Sequence, residues 1–390
     1  MNDEIGPPVV GMVGAGQLAR MTAQAAISLG VEFRVLADTP RDSAAQVCVG
    51  AVIGQYRSAE DLLKFAADCD VVTFDHEHVP REHLAALERV VAVRPGGNAL
   101  RFAQDKLAMR DRLSATGVLA ELGVRCPRYR AVSGPAVDAL ADGRPIVLKA
   151  TSGGYDGKGV WICDSNEAVA EVVSHGIDLL AEEYIPFDRE LAVLVARSPK
   201  GQGASYPVAA TVQRDGICRE VIAPAPGLDP DVAVRAQRLG LALAAELGVT
   251  GLLAIELFQV GDELIINELA MRPHNCGHWT IDGAVTSQFE QHLRAVLDLP
   301  LGSTGAAAKA AVMVNVLGGG DPDLYSRFVH VMAADPGARV HLYGKRVSPG
   351  RKVGHVTVTG TDVEQLRDRA WRAANYLSLG TEESAGEGGR

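Results

Sequence analysis

Apolar residues follow two periodicities along the chain. In the first hundred residues, apolar runs of strand length alternate with segments in which apolar residues recur at helical spacing. This pattern predicts five strands, at residues 9–13, 31–37, 47–53, 71–74 and 90–93. Repeated strand–helix units form a parallel, doubly wound sheet. We therefore predict an α/β domain over residues 1–98, which ends near Pro95-Gly96-Gly97-Asn98.

The rest of the chain has shorter strand-like runs separated by turns. It predicts strands at residues 189–196, 206–214, 217–223, 252–260, 264–269, 311–316, 338–343 and 353–358. We expect an α+β central domain over residues 99–300, with a lid at 126–186. A small β-rich domain over residues 301–380 and a polar, disordered tail over 381–390 complete the expected organisation.

Composition excludes several classes of protein. A length of 390 residues predicts two or three domains, and the formal charge of -10 argues against nucleic-acid or anionic-membrane partners. No apolar run is long enough to span a bilayer, and the acidic start Met-Asn-Asp-Glu-Ile is unlike a signal peptide, so a cytoplasmic protein is expected. The six cysteines are scattered without Cys-x-x-Cys spacing, which indicates reduced thiols.

A glycine-rich loop joins two predicted strands near the centre of the chain. The first strand, at 146–149, ends in Lys149, the loop spans 151–159, and the second strand follows at 160–163. Glycines let several backbone N–H groups approach an anion, and Lys149 and Lys158 add positive charge, so the loop suits a polyphosphate. It is no Walker A loop, because Gly159 follows Lys158 and a strand follows the loop.

Two glutamates are predicted to face each other in a hairpin. If Gly261-Asp262-Glu263 forms the loop, Glu256 lies directly opposite Glu268. Paired carboxylates repel, so a cation is expected between them. Two carboxylates, with water and phosphate at the remaining positions, suit Mg²⁺. The side chain of Asn267 is expected to start on the other face of the strand.

The N terminus carries a pattern with two interpretations. Gly14-Ala15-Gly16-Gln17-Leu18-Ala19, with Asp38 after the second strand, matches the dinucleotide fingerprint of nicotinamide enzymes. The same turn and helix N terminus would bind any phosphate, and Gln17 adds a side-chain donor.

Three further segments carry candidate ligand-binding groups. Asp75-His76-Glu77-His78 ends its strand and indicates substrate contact by Glu77 or, less favoured, a metal cluster. The 182–185 segment offers backbone groups to an adenine and a carboxylate to ribose hydroxyls. Arg272, His274 and Asn275 favour an anion site over a zinc site of His274, Cys276 and His278.

With the glycine-rich loop and the carboxylate hairpin together, the chain resembles the ATP-grasp enzymes and, within them, the 5-(carboxyamino)imidazole ribonucleotide synthetases of purine biosynthesis. The resemblance covers residues 9–377. Its motifs are Gly14-Ala15-Gly16-Gln17-Leu18, Gly153-Gly154-Tyr155-Asp156-Gly157-Lys158-Gly159, Asn267-Glu268-Leu269-Ala270, Trp279-Thr280 and Gly350-Arg351-Lys352-Val353-Gly354-His355.

The resemblance implies an ATP-grasp fold with a pre-ATP-grasp domain at residues 1–98. It implies a homodimeric ligase that uses ATP and Mg²⁺ to carboxylate aminoimidazole ribonucleotide with bicarbonate through carboxyphosphate. Another ATP-grasp carboxylate–amine ligase is the nearest alternative, and a nicotinamide-dependent oxidoreductase the more distant one.

The resemblance also assigns roles to individual residues. ATP would be contacted by Arg101, Lys149, Gly154, Tyr155, Asp156, Gly157, Lys158, Gly159, Val160, Glu182, Glu183, Tyr184, Ile185, Glu190, Asn267 and Glu268. Mg²⁺ would be held by Glu256 and Glu268. The ribonucleotide would be contacted by Gln17, Glu77, Tyr155, Asp156, Arg351 and Lys352, and bicarbonate by Arg272, His274 and Asn275. The implied catalytic residues are Tyr155, Asp156, Arg272 and Lys352, with Asp156 orienting the amine or accepting its proton. Ala210 stands where a polar nucleotide contact is expected.

Overall fold

The structure, a computed structural model, describes residues 6–132, 144–154 and 157–380. Tyr155, Asp156 and the predicted tail 381–390 lie outside these residues. Within the described ranges, no helix is both long enough and apolar enough to cross a membrane.

The N-terminal segment folds into the predicted parallel sheet. Its elements are β1 (Val9–Val13), α1 (Gln17–Leu29), β2 (Glu32–Ala37), β3 (Gly50–Ile53), α2 (Ala59–Ala66), β4 (Val71–Phe74), α3 (Arg81–Leu87) and β5 (Ala92–Val93). The strand order is β3-β2-β1-β4-β5, so the chain changes direction across the sheet after β3. The carboxyl ends of β1 and β4 are adjacent, which brings the Gly14 turn beside Asp75.

Two of the predicted strands in the N-terminal sheet begin at least two residues later than expected. The strand predicted at 47–53 begins at Gly50, because the N–H groups of Val47 and Cys48 both donate to Ala44 O in a turn. The strand predicted at 90–93 begins at Ala92, because the N–H groups of residues 90 and 91 donate to the carbonyl of Leu87 at the end of α3. In both places the first residues of the predicted apolar run belong to a turn, and the strand begins after it.

Short helices lead from this domain to a small antiparallel sheet. They are α4 (Gly97–Gln104), α5 (Lys106–Ala115) and α6 (Gly117–Glu121), followed by the short strand β6 (Val124–Arg125). The lid that follows contains β7 (Tyr129–Val132), β8 (Ile146–Ala150), β9 (Val160–Cys163), α7 (Asn166–Val173) and β10 (Leu179–Glu183). Its strand order is β7-β10-β8-β9, so the glycine-rich loop is the β8–β9 connection, as predicted.

The central and C-terminal segments share one large sheet. Its strands are β11 (Arg189–Arg197), β12 (Gly203–Ser205), β13 (Ala209–Arg214), β14 (Ile217–Ala223), β15 (Gly251–Val260), β16 (Glu263–Ala270), β17 (Ala310–Leu317), β18 (Arg339–Leu342) and β19 (Lys352–Gly360), with β6 at one edge. Its helices are α8 (Pro230–Glu246), α9 (Thr280–Gly283), α10 (Gln288–Val296), α11 (Phe328–Ala334) and α12 (Val363–Leu379). Because β17 pairs with β14, the C-terminal strands continue this sheet.

The β15–β16 hairpin reaches the predicted pairing by an unexpected route. Val260 pairs with Glu263, so the loop has two residues, where the sequence analysis expected three. A β-bulge between Glu256 and Leu257 then shifts the register by one, and Glu256 pairs with Glu268 as predicted. The extra residue of the bulge is Asn267.

A buried histidine joins the N-terminal domain to the large sheet. His292 on α10 accepts the Leu252 N–H at Nδ1 (3.3 Å), so its Nε2–H donates to Thr73 Oγ1 on β4 (2.8 Å). Both side chains are fully buried. This contact, with the packing of α1 on α10, fixes the carboxyl end of β4 relative to β15.

Candidate active site

A cavity of about 860 Å³ lies where the lid, the large sheet and the carboxyl end of β4 meet. It brings together most of the residues singled out from sequence. These are Gln17, Glu77, Lys149, Gly154, Gly157, Val160, Glu182, Glu183, Tyr184, Ile185, Glu190, Glu256, Asn267, Glu268, Arg272, His274, Asn275 and Lys352. Residues separated by more than 300 positions therefore share one site.

Lys149 is held in place from two sides. Its Nζ lies 2.8 Å from Glu182 Oε2 and donates to Asn267 Oδ1 at 2.9 Å. Burial alone would raise the pKa of Glu182, but Lys149 and Arg110 outweigh it and lower the pKa to about 2. Glu182 is therefore an anchor for two cations, and its carboxylate is not available for the ribose contact considered from sequence.

Carboxylates converge on the floor of the cavity. Burial, then the charges of Glu268 and Glu190, raise the pKa of Glu256 to about 8, and burial raises that of Glu190 to about 7. Such shifts mark carboxylates brought together without a sufficient counter-charge. Because Asn267 occupies the bulge, it lines the same cavity as Glu268, which contradicts the expectation that its side chain faces away.

The helix before the lid contributes a cation that sequence reasoning did not assign. Lys106, at the start of α5, lines the cavity with its Nζ 3.7 Å from Glu268 Oε1 and 3.2 Å from Gly153 O. Arg101, which the resemblance assigned to ATP, is exposed on α4, lies over the Phe102 ring and is absent from the described lining. An acidic neighbour and a lid carbonyl near Lys106 are contacts that a sequence pattern does not reveal.

The glycine-rich loop lies over the floor of the cavity. Gly154 and Gly157 have φ values of 79° and 75°, in the left-handed region that favours glycine. A Cβ on Gly157 would lie 2.9 Å from Gly216 Cα in the β13–β14 turn, so the loop approaches that turn closely. Lys158 and Gly159 lie in the described part of the loop without lining the cavity, whereas Tyr155 and Asp156 are outside the described residues.

The far end of the cavity is apolar and suits a nucleobase. Phe187 stacks on Phe258 with ring centroids 4.6 Å apart, and both line the cavity beside Tyr184 and Ile185. The carboxylate of Glu183 already has a basic partner, because its Oε2 accepts a hydrogen bond from Arg128 Nε at 2.9 Å. Phe187 and Phe258 were not singled out from sequence, because aromatic residues in strands and turns are usually core residues.

Gln213 on β13 also lines this cavity, whereas Ala210, where a nucleotide contact was expected, is not among the described lining residues. Glu190 is a partly buried carboxylate of the same lining.

An anion pocket forms beside the carboxylates. Arg272 Nε donates to Glu77 Oε2 at 2.7 Å, so Glu77 holds the guanidinium in place. Burial, then the positive charges of Arg272 and Lys352, lower the pKa of His274 to about 3, so its imidazole is neutral. Both amide atoms of Asn275 are buried without a nitrogen or oxygen partner among the described residues. Buried amide atoms without such a partner are suited to binding a polar ligand.

The N-terminal glycine turn does not bind a dinucleotide as its pattern suggested. Asp75 Oδ2 accepts the Gly16 N–H at 2.6 Å, and its Oδ1 accepts the Ala19 N–H at 3.0 Å. A carboxylate of the protein therefore occupies the N terminus of α1, where a pyrophosphate would sit. Gly16 is required because a Cβ there would lie 2.4 Å from Asp75 Oδ2.

A second cavity, of about 360 Å³, adjoins the first at Asp75 and His76. Its lining includes Arg41, Asp42, Ser43, Lys345, Arg346 and Arg351. Lys345 Nζ donates to Gln17 Oε1, which joins the two cavities. Arg351 and Lys352, adjacent in sequence, thus line different cavities.

Neither metal cluster considered as an alternative is present. Among the described residues, no group of three or more His, Cys, Asp or Glu side chains is placed to hold a metal ion. His274 Nδ1 contacts Cys276 Sγ at 3.1 Å, but His278 turns its Nδ1 toward Gln288. His76 Nδ1 accepts the His78 N–H at 3.2 Å.

Comparison with known proteins identifies the domains. Residues 8–104 match the ribonucleotide synthetase preATP-grasp domain, 117–289 the ATP-grasp domain, and 311–369 the phosphoribosylaminoimidazole carboxylase C-terminal domain. The N5-carboxyaminoimidazole ribonucleotide synthase of Mycobacterium tuberculosis is 54% identical over 388 residues, which cover 96% of this chain and 88% of that protein.

The chain belongs to the N5-carboxyaminoimidazole ribonucleotide synthase family. The crystal structure of the synthetase from Thermus thermophilus is 38% identical with a TM-score of 0.84, and the match covers 95% of this chain and 98% of that one. A synthase from Aspergillus clavatus, solved with ADP and 5-aminoimidazole ribonucleotide, is 30% identical with a TM-score of 0.85 and coverage of 95% and 99%. The predicted ATP-grasp fold and family are confirmed, and the chain is an ATP-grasp ligase.

Proposed function

We propose that this protein carboxylates aminoimidazole ribonucleotide with bicarbonate at the expense of ATP in purine biosynthesis. The products are N5-carboxyaminoimidazole ribonucleotide, ADP and phosphate. The observation that carries the proposal is the buried amide of Asn275, which has no nitrogen or oxygen partner among the described residues and lines the same cavity as Arg272. The carboxylates of Glu256 and Glu268 line that cavity as well. A small oxyanion bound there would lie beside a cation-lined polyphosphate site. Names of homologous synthases support the same reaction.

ATP fits the large cavity with its base between the lid and Phe258 and its phosphates toward Lys149 and Lys106. The homologous structure from A. clavatus solved with ATP supports this choice of nucleotide. Glu256 and Glu268 fit Mg²⁺, because they are opposed carboxylates that lack a sufficient counter-charge. Phosphate and water oxygens would complete the six ligands that the ion prefers. When bound, Mg²⁺ neutralises the charge of the phosphate oxygens.

The first step joins bicarbonate to the γ-phosphorus. A bicarbonate oxygen forms the new P–O bond as the bond to ADP breaks, which gives carboxyphosphate. Arg272, held by Glu77, neutralises the approaching oxyanion, and the neutral His274 offers a hydrogen bond without competing for a proton. Lys149 stabilises the transferring phosphoryl group, since fixed cations act on charge that develops in the transition state.

In the second step the exocyclic amine attacks the carboxyl carbon, phosphate leaves, and the amine loses a proton. The ribonucleotide fits the second cavity, where Lys345, Arg346 and Arg351 suit its phosphate and Gln17 lies at the entrance to the first. Lys352 lines the large cavity, where we place it over the phosphate of carboxyphosphate. Asp156 remains our proposed group for orienting the amine or accepting its proton, with Tyr155 beside it. A closed lid excludes the water that would hydrolyse carboxyphosphate.

Release of phosphate from ATP tests this function. We expect release with Mg²⁺ that depends on both aminoimidazole ribonucleotide and bicarbonate. Release driven by a different amine would instead favour another carboxylate–amine ligase, and no acceptor-dependent release would refute the reaction. A cytoplasmic location and a homodimer are further parts of this proposal and rest on the family resemblance.

A further inference from the structure

Arg110 on α5 is an ionic residue in an unusual place. It is 0% exposed, and neither the sequence patterns nor the proposed chemistry assigns it a role. A buried guanidinium loses its hydration and is retained only where hydrogen-bonding acceptors surround it. The identity of those acceptors indicates what the side chain does.

Arg110 also interacts with the Cys126 thiol, and its three hydrogen bonds to oxygen atoms go to segments that line the cavity. Its Nε donates to Glu182 Oε1 at 2.6 Å, and its Nη1 and Nη2 donate to the carbonyls of Ile266 (2.9 Å) and Asn267 (2.7 Å). One planar guanidinium therefore joins the lid strand β10 to the β15–β16 hairpin. Its fork geometry suits this arrangement of acceptors.

The two carbonyls belong to the bulge that places Asn267 and Glu268 in the cavity. In a regular strand successive carbonyls point to opposite edges, so one side chain reaches both only where the strand is irregular. Strand β6 pairs with β16 at Leu264 and Ile265 and does not extend to the bulge. Arg110 supplies donors to this edge where the neighbouring strand has ended.

The third contact leads to Lys149. Glu182 accepts from Arg110 through Oε1 and from Lys149 through Oε2, and Lys149 also donates to Asn267 Oδ1. Both groups that hold the ammonium are thus held in turn by Arg110. A shift of the guanidinium would move Glu182 and the bulge together.

We propose that Arg110 is a positioning residue for phosphoryl transfer, which fixes Lys149 and the carboxylate hairpin relative to each other. This inference rests on the proposed function for its kinetic readout, but nucleotide binding tests it independently. A lysine at this position keeps the charge yet has a single nitrogen, so it cannot span Glu182 and both carbonyls.

The test compares Arg110→Lys and Arg110→Met with Arg112→Lys on the same helix, where Arg112 Nη2 pairs with Glu246 Oε1 at 2.6 Å on a partly exposed surface. We expect Arg110→Lys to weaken mant-ADP binding with Mg²⁺ about tenfold and to lower kcat at saturating ATP more than tenfold. The KM for aminoimidazole ribonucleotide should stay within about twofold, because no residue of the bulge is among the described lining of the second cavity. Arg112→Lys should match the wild type in all three measurements.

The alternative is a role in folding alone. It predicts a lower melting temperature for Arg110→Lys with wild-type mant-ADP affinity and kcat per folded molecule, and that result would overturn the proposal. If Arg110→Met does not fold, Arg110→Lys carries the comparison. Should the wild type release no phosphate with aminoimidazole ribonucleotide, the proposed function fails, while the mant-ADP measurement still decides the role of Arg110.

Discussion

Lys149 Nζ lies 2.8 Å from Glu182 Oε2, and less than a tenth of either side chain is exposed. A buried carboxylate between two cations stabilises the fold only while it keeps its charge. Removing one partner of a buried ion pair leaves the other charge uncompensated, which costs about 3–5 kcal/mol.

Glu182→Gln should therefore lower the free energy of unfolding by about 3–5 kcal/mol, as measured by urea denaturation. The control Glu246→Gln, which removes the partner of Arg112 at the surface, should cost no more than about 1 kcal/mol. Because the folded pKa of Glu182 is about 2, its contribution is complete above about pH 4.5 and is lost as pH falls from 4.5 toward 2. Equal losses in both variants would contradict this role.

Lys106 and Arg101 provide a matched pair for the nucleotide site. Lys106 lines the cavity near Glu268 and Gly153, whereas Arg101 is exposed on α4. We expect Lys106→Met to raise the KM for MgATP about tenfold, equivalent to about 1.4 kcal/mol of lost binding, and Arg101→Met to change it less than twofold. Steady-state kinetics decide between them, and the reverse order would restore the assignment of Arg101 from the resemblance.

The carboxylate pair should affect activity and stability in opposite directions. Without metal, Glu268→Gln removes repulsion from Glu256 and should stabilise the protein by up to about 1 kcal/mol. The same variant should need at least about tenfold more Mg²⁺ for half-maximal phosphate release, because an amide is a weaker ligand than a carboxylate. Glu263→Gln, in the same hairpin but paired with Arg125, serves as the control. A Glu268→Gln variant with wild-type Mg²⁺ dependence would remove Glu268 from the metal site.

Buried histidines should make the protein sensitive to acid. Burial lowers the pKa of His292 to about 3 from an ordinary value of 6.5. As pH falls below 6.5 the unfolded chain binds a proton that the folded chain excludes, so stability is lost until about pH 3.

At pH 5 this loss amounts to about 2 kcal/mol for one histidine. Between pH 7 and pH 5 the His292→Gln variant should lose less stability than the wild type, and the difference should equal that amount. Urea unfolding at each pH measures the two losses. His330→Gln, which changes an exposed histidine on α11, should retain the wild-type pH dependence. An unchanged dependence in His292→Gln would show that His292 is protonated in the folded protein.

Sequence patterns predicted the parts of this fold that depend on local periodicity. The N-terminal sheet, the glycine loop between β8 and β9 and the opposition of Glu256 and Glu268 all follow from spacing along the chain. The bulge at Asn267 was not predictable, because the guanidinium that binds its carbonyls lies more than 150 positions away. The sequence analysis expected a three-residue loop without a bulge and still gave the correct pair. The shorter loop and the bulge each shift the register by one residue in opposite directions, so the two differences cancel.

The site was predicted less completely where long-range contacts decide a residue's role. The glycine pattern at residues 14–19 suggested a dinucleotide because Asp75, which occupies that position, lies 59 residues from Gly16 in sequence. Glu182 and Glu183 were assigned to the nucleotide, since nothing in their own segment reveals that basic residues elsewhere bind them. Lys106, by contrast, had no spacing signal that would mark it as a ligand-binding residue.

Asp75 and Glu77 are separated by one residue, yet they hold different parts of the site. Asp75 binds the backbone of the turn that carries Gln17, and Glu77 binds Arg272 in the anion pocket. This segment of three residues therefore fixes the turn that carries Gln17 and the guanidinium of Arg272 relative to each other.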